Sequence, residues 1–259
     1  MMKDKIIKIL RKKKYYKIWA KLMHVSKIGM NYWGGASFVH SGEMLVIDRF
    51  LPRLSQQSEV VIFDVGANIG EWSLYAAKMG YSASIYAFEP SKATYDTLVQ
   101  NTRAYPNIKC VNLGLGDKIG QYTLYSSRQE SPIASLYKID NPVEEYSEKY
   151  TQTINISTVE NFCQNNNVEE IAFLKIDVEG HEYKALLGAG ELIQNGKIRC
   201  IQFEFGESHI EARTFFKDFW TLLKCYEFFR ILPDGLVRIP AYSADLEIFN
   251  TANYLAVLK

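Results

Sequence analysis

Five acidic residues stand where a short apolar run gives way to small or turn-forming residues. Val60-Val61-Ile62-Phe63 leads into Asp64, followed by Val65-Gly66-Ala67-Asn68-Ile69-Gly70-Glu71. Tyr86-Ala87-Phe88 leads into Glu89-Pro90, with Glu89 lying 25 residues after Asp64. Gly114-Leu115-Gly116 precedes Asp117, Leu174-Lys175-Ile176 precedes Asp177, and Gln202-Phe203 precedes Glu204. Carboxylates so placed accept hydrogen bonds from hydroxyl and amino groups, and they repel a phosphate. Gly66 and Gly70 let the first turn bend and its backbone approach a ligand closely. Their spacing is Gly-x-x-x-Gly, so the Gly-x-Gly-x-x-Gly pyrophosphate fingerprint is missing. Glu89 suits the two hydroxyls of a ribose, and Asp117 an adenine amino group. The set describes a nucleoside site with no phosphate cradle.

The elements that must position these residues are legible as alternating patterns. Runs at 60–63, 84–88, 108–113, 172–176, 200–205, 228–232 and 254–258 have strand length. The first five are dense enough to be buried on both faces, as parallel strands are. Helical stretches fall around 71–79, 91–104, 182–194 and 211–224, which predicts a doubly wound α/β sheet. The last strand is expected to pair antiparallel with the 228–239 run at the sheet edge. Between Gly120 and Thr158 the rhythm breaks into alternating pieces (122–125 and 153–156) around a polar stretch. It reads as a β insertion, about 118–158, with a mobile loop on the entrance side. Residues 1–55 form a basic helical extension and cap, and 56–259 the main domain.

A nucleoside carrying a sulfonium cation instead of phosphates is S-adenosylmethionine. The segments Asp64-to-Gly70, Phe88-Glu89-Pro90 and above all Leu174-to-Glu182 resemble the FkbM family of S-adenosylmethionine-dependent methyltransferases, over roughly residues 58 to 258. That resemblance implies a class I methyltransferase fold, a Rossmann-like sheet of seven mostly parallel strands with the last antiparallel. It implies O-methylation of a hydroxyl on a sugar of a surface glycan or natural product. Asp64, Gly66, Ala67, Asn68, Gly70 and Glu89 match the family's cofactor motifs, and Asp117 matches the segment beside the adenine. Ser41-Gly42-Glu43 is similar to a segment that often precedes the fold.

On the acceptor side, Asp177, His181 and Glu204 are the catalytic candidates, since an acceptor hydroxyl must lose a proton. A neutral imidazole of ordinary pKa near ~6.5 suits that task, although the family often has a small residue at the position of His181. Glu179, Ser135 and His209 are expected to contact substrate. Asp177 and Glu204 resemble acids that hold Mg²⁺ in catechol-type methyltransferases, but two carboxylates are thin ligation, and a metal is not favoured. Lys175, inside an apolar run, is expected to form a structural salt bridge. Tyr32, Trp33, Phe38, Tyr122, Tyr125, Tyr137, Tyr146 and Tyr150 surround the expected entrance and could stack on a sugar ring.

Charge placement bounds the partners. The chain has 259 residues with 30 Lys/Arg and 29 Asp/Glu, a formal charge of +1. Ten of those Lys/Arg, against one acid, lie in residues 1–27, so a basic arm precedes an acidic body. Nucleic acid is not an expected partner of that body. Arg11-Lys12-Lys13-Lys14 with Ile18, Trp19, Leu22 and Met23 reads as an amphipathic helix. It either attaches to an anionic surface or, as is commoner, packs its stripe on the body with its lysines solvated. Cys110, Cys163, Cys200 and Cys225 show no metal or disulfide spacing. With no exported-type leader or membrane span in view, a cytoplasmic protein is expected, peripheral at most at the inner membrane face. The rival readings are a nicotinamide-dependent Rossmann oxidoreductase, and a non-catalytic methyltransferase-like module recruited by the arm.

Overall fold

The computed structural model describes residues 7–34, 38–54, 60–79, 83–126, 134–138 and 150–259, without the side chains of residues 53 and 54. Twelve strands occur among them: β1 (Val60–Val65), β2 (Ala83–Phe88), β3 (Ile108–Val111), β4 (Gly114–Leu115), β5 (Gly120–Ser126), β6 (Ala134–Ser135), β7 (Gln152–Ser157), β8 (Ile171–Ile176), β9 (Ile198–Phe205), β10 (Tyr226–Leu232), β11 (Gly235–Ile239) and β12 (Ala252–Leu258). Eight form the main sheet in the order β11-β10-β12-β9-β8-β1-β2-β3. The strands from β3 across to β9 pair parallel, whereas β12 runs antiparallel between β9 and β10. The protein is thus the α/β class I methyltransferase fold that the motifs imply.

Two details differ from the sequence reading. The sheet has eight strands, because Pro233-Asp234 turns the chain after β10 and adds β11 antiparallel at the edge. Pro-Asp-Gly is a turn signal with a mechanism, proline presetting φ and glycine relieving the exit. The run at 108–113 is also not buried on both faces; β3 is half-exposed, since it closes the other edge of the sheet.

Alternation splits each central strand between two cores. Phe63, Leu174, Ile176 and Phe203 share one core, where Phe63 packs on Phe162 of helix Val159–Asn165 at 5.6 Å and Phe203 stacks on Phe219 of helix Phe216–Leu222 at 4.6 Å. Ile62, Ile85 and Phe173 face the other way, against Trp72 of helix Glu71–Lys78 and Val46, Ile47 and Leu51 of helix Glu43–Leu54. Burying each such side chain contributes about 1.5–3 kcal/mol, which fixes the register. The expected helices at 182–194 and 211–224 are each interrupted, into Glu182–Leu187 and Gly190–Gln194, and into Ser208–Glu211 and Phe216–Leu222.

The insertion forms a second sheet, β4-β7-β5-β6, around Leu124, Ile154 and Ile156. Residues 127–133 and 139–149, which include Tyr146 and most of the expected loop, lie outside the described residues. The basic helix does not lay its apolar stripe on the body. Helix Tyr16–Gly29 buries no residue, with Leu22 50% and Met23 58% exposed. All four cysteines are free thiols.

Candidate active site

A cavity of about 550 Å³ opens at the carboxyl ends of β1, β2 and β8. Its polar lining includes Asn68, Glu89, Asp177, Glu179 and His181, and Phe38 and Glu43 reach it from the segment before β1. The second sheet supplies an apolar wall through Leu124, Ala134, Leu136, Ile154 and Ile156. The insertion therefore closes the site.

The turn after β1 spends its amides inside the fold. Gly66 N and Ala67 N donate to Phe88 O at 3.0 and 2.9 Å, and Gly70 N donates to Ala67 O at 2.8 Å. Asn68 N donates to Glu89 Oε2 at 3.1 Å, and Ser91 N to Glu89 Oε1 at 2.8 Å. A phosphate cradle needs such amides free and no carboxylate among them, so the turn cannot hold a pyrophosphate as it stands. Burial raises Glu89 to about 7 against the lowering pull of both amides. Gly66, at φ 79°, is required by packing: a Cβ there would lie 1.9 Å from Asp177 O.

A buried polar row crosses the three central strands. Asp64 is opposite Lys175 in the β1–β8 ladder, and Lys175 is opposite Gln202 in the β8–β9 ladder. Lys175 Nζ lies 3.3 Å from Asp64 Oδ1, 3.5 Å from Asp177 Oδ2 and 3.3 Å from Gly66 O. Ser73 donates to Asp64 Oδ2 at 2.7 Å. Gln202 donates to Glu43 Oε1 at 2.7 Å, and Ser41 to Glu43 Oε2 at 2.9 Å. Burial alone would lower Lys175, but Asp64, Asp177 and Glu43 outweigh it and keep the ammonium charged. Burial raises Glu43 to about 7. The salt bridge expected of Lys175 is present, and it ties both strand-end acids to one cation.

After β8 the chain closes on itself. Glu179 and Gly180 adopt left-handed φ values of 53° and 101°, and a Cβ on Gly180 would meet Ser208 O at 2.9 Å. Glu182 accepts from Val178 N and Gly180 N, both at 2.9 Å, and its Oε2 lies 3.0 Å from His209 Nε2. Burial would raise Glu182, yet His209 and these amides hold it below the usual carboxylate range. A left-handed non-glycine residue costs about 1–3 kcal/mol and persists where surrounding bonds impose it. Here those bonds turn Glu179 toward the cavity.

One oxygen from each of Asp177, Glu179 and Glu204 falls within a 4.8 Å group. Burial first, then the neighbouring Asp177, Glu179, Glu182 and Glu43, pushes Glu204 well above the usual range. Like charges so close oppose one another's ionisation. Such a trio also has enough oxygens to contact a cation, one more than the pair recognised in the sequence.

The other expected site residues have different places. His209 is fully buried and braces Glu182, so it is not positioned to touch substrate. Asp117 pairs with Lys184 at 3.0 Å, outside the cavity wall. Burial raises it less than Lys184 lowers it. Ser135 is buried, donates to Glu179 O at 2.7 Å and accepts from Tyr137 N at 3.1 Å, tying the insertion to the Glu179 loop. Asp64 is buried behind Lys175, and Gly70 caps helix Glu71–Lys78; neither lines the cavity. His181 does line it, with Nδ1 3.1 Å from Tyr137 OH, but burial lowers it to about 4. That imidazole is neutral and weakly basic, because its surroundings penalise the imidazolium. Glu43 and Gln202 were missed as site residues. The signals were Ser41-Gly42-Glu43 ahead of a helix and a single glutamine inside an apolar strand.

An α/β sheet in this strand order, with an acidic cavity at its strand ends, is the class I methyltransferase architecture. The model of the methyltransferase FkbM domain matches residues 64–229, and the chain belongs to that family. Among its relatives, the hexuronic acid methyltransferase AglP of Haloferax volcanii is 28% identical over 166 residues, covering 64% of each chain. The 2-O-methyltransferase NoeI of Sinorhizobium fredii is 21% identical over 202 residues, covering 74% of this chain and 82% of that one. Methyltransferase 1 of Beauveria bassiana is 25% identical over 166 residues, covering 58% and 66%. The chain thus spans somewhat under two thirds of the AglP length.

Proposed function

We propose that this protein transfers a methyl group from S-adenosylmethionine to a hydroxyl of a sugar in a glycan or natural product. The observation carrying this reading is the acidic cavity whose turn amides are already spent on Phe88 and Glu89. Such a site fits a ribose and a cationic ligand and disfavours the pyrophosphate of a nicotinamide dinucleotide. S-adenosylmethionine, when bound, supplies an electrophilic methyl group on a positively charged sulfur. Glu89 would accept its ribose hydroxyls, while Asn68 and the residues from Gly66 to Ala67 shape the turn beside it. Leu115 and Ile156 offer an apolar wall.

On the acceptor side Asp177 is the proton acceptor. Burial, with Glu182 and Asp64, raises its pKa above the usual carboxylate range and so makes it a stronger base, while Lys175, 3.5 Å away, pulls the other way. Glu204 and Glu179 share the proton once it arrives, and Glu179 offers a further acceptor for a sugar hydroxyl. His181 holds Tyr137 and so the insertion over the site, rather than serving as the base. The names of AglP and NoeI support a sugar acceptor.

Calorimetry with S-adenosylhomocysteine tests the reading directly. Micromolar binding is expected, weakened about tenfold or more by Glu89→Ala through loss of charge-assisted hydrogen bonds. No binding by the folded protein, or tight binding of NAD(H) instead, would overturn it. A gain of one methylene mass on a uronic acid or deoxysugar glycoside would then identify the acceptor class.

A further inference from the structure

We propose that the segment from Ile7 to Gly29 is a docking element for an anionic lipid bilayer. This goes beyond the methyl-transfer reading and does not depend on it. Helix Tyr16–Gly29 presents two opposed faces. At 100° per residue, Ile18, Leu22 and Val25 fall on one side with Trp19 and Met23, whereas Lys17, Lys21 and His24 fall on the other. Among the described residues the apolar side finds no cover: Ile18 is 53%, Trp19 42%, Leu22 50% and Val25 55% exposed. The preceding turn continues the pattern with exposed Ile7, Ile9 and Leu10, and Trp19 Nε1 donates to Leu10 O at 2.8 Å, binding the two pieces into one unit.

Charge chooses the occupant. Lys8, Arg11, Lys12, Lys13, Lys14, Lys17, Lys21 and Lys27 lie in this segment, and no Asp or Glu occurs between Asp4 and Glu43. A second copy of the same arm would be repelled. An anionic surface with an apolar interior satisfies both faces, lysines at the headgroups and Trp19, Leu22 and Met23 below them. No helix among the described residues is long and apolar enough to cross a membrane, so the contact is interfacial. The helix is tethered to the body at its far end, on the side where the cavity opens. Lys27 Nζ donates to Asn250 Oδ1 at 2.8 Å, Trp33 N to Thr251 O at 2.8 Å and Arg230 Nε to Met30 O at 2.9 Å. Thr251 immediately precedes β12, whose first residue pairs with Phe205 at the carboxyl end of β9. Docking would hold the cavity side of the sheet near the lipid surface.

The test is flotation of the full chain with phosphatidylcholine vesicles containing or lacking phosphatidylglycerol. Binding is expected on the anionic vesicles, at least tenfold weaker on the neutral ones, and reduced by high salt. Each headgroup-level cation contributes about fivefold, so reversing three with Lys12→Glu, Lys13→Glu and Lys14→Glu should weaken binding by about a hundredfold or more. Leu22→Ser with Met23→Ser should abolish it at low salt while the lysines remain. An unchanged circular dichroism spectrum and urea-unfolding midpoint in both variants shows that the body stays folded. Equal binding to neutral vesicles, or no vesicle binding, overturns the proposal. So does a dimer by sedimentation velocity that the triple reversal dissociates, which would assign the arm to the acidic body of a second copy.

Discussion

Glu89 and Asp177 both follow central strands and both face the cavity, yet their surroundings differ. Glu89 is held by two backbone amides, from Asn68 and Ser91, with Lys175 and the Asp64 carboxylate acting on it more weakly. Asp177 stands among Glu179 and Glu204, with the Lys175 ammonium as its partner. The first arrangement fixes a carboxylate in one geometry and leaves it short of donors, which suits recognition of hydroxyls. The second crowds acids so that they share protons, which suits proton transfer. Under the proposed function the acidic cavity holds two sites with separate tasks, divided by the row from Asp64 to Lys175.

The strongest way to break that division is Asp177→Asn. Turnover should fall by about 10²–10⁴, the usual contribution of a positioned base, with S-adenosylhomocysteine affinity changed less than about threefold. Equal losses in binding and turnover would erase the distinction. Next comes the support that the Asp177 end has and the Glu89 end lacks. His209→Ala leaves Glu182 buried beside empty space and should destabilise the fold by about 3–5 kcal/mol in urea unfolding. A loss below about 1 kcal/mol would mean that the Glu179 turn holds without His209.

A smaller effect lies in pH. Glu89 and Glu43 have folded pKa values of about 7, above the ordinary carboxylate range. From pH about 4.5 to 7 the native protein therefore keeps protons that the unfolded chain has released, and its stability falls as pH rises through that window. Ribose hydroxyls favour ionised Glu89, so S-adenosylhomocysteine should bind more tightly at pH 8 than at pH 6. Calorimetry in buffers of different ionisation heat should register proton release near pH 6.5. Proton uptake would reverse the assignment of Glu89. The smallest expected effect is that of EDTA: the Lys175 ammonium already stands 3.5 Å from Asp177, so the methylation rate should not change. A loss restored by Mg²⁺ would give Asp177, Glu179 and Glu204 to a cation.

Much of this architecture is written in the residue order. Apolar runs bounded by glycine and acid located β1, β2, β8 and β9, because side chains buried on both faces leave an unbroken apolar record. The eighth strand was legible in Pro233-Asp234-Gly235 but looked like an extension of one run, since hairpin partners at an edge carry little burial signal. Asp117 and His209 show the limit from the other side. Each is a polar residue at the right end of the sheet, and each turned out to face a partner, Lys184 or Glu182, that lies far away in sequence or across a turn. Spacing along a chain does not report which of two neighbours a side chain meets.

The basic arm makes the same point at the level of a whole helix. Its amphipathic pattern is a property of the sequence, and so is its charge. Whether the apolar stripe finds a core is decided by the tertiary structure, which leaves Leu22 and Met23 of that helix exposed. By itself the sequence determined the sheet, the acidic strand ends and the absence of a pyrophosphate fingerprint, because strand periodicity and turn chemistry are local. Only the tertiary structure decided that Gly66 and Ala67 spend their amides on Phe88 and that Lys175 joins Asp64 to Asp177. It alone decided that Glu43 comes back to the cavity, because all of these pairings except the neighbouring Lys175–Asp177 contact join residues that the chain keeps more than 20 apart.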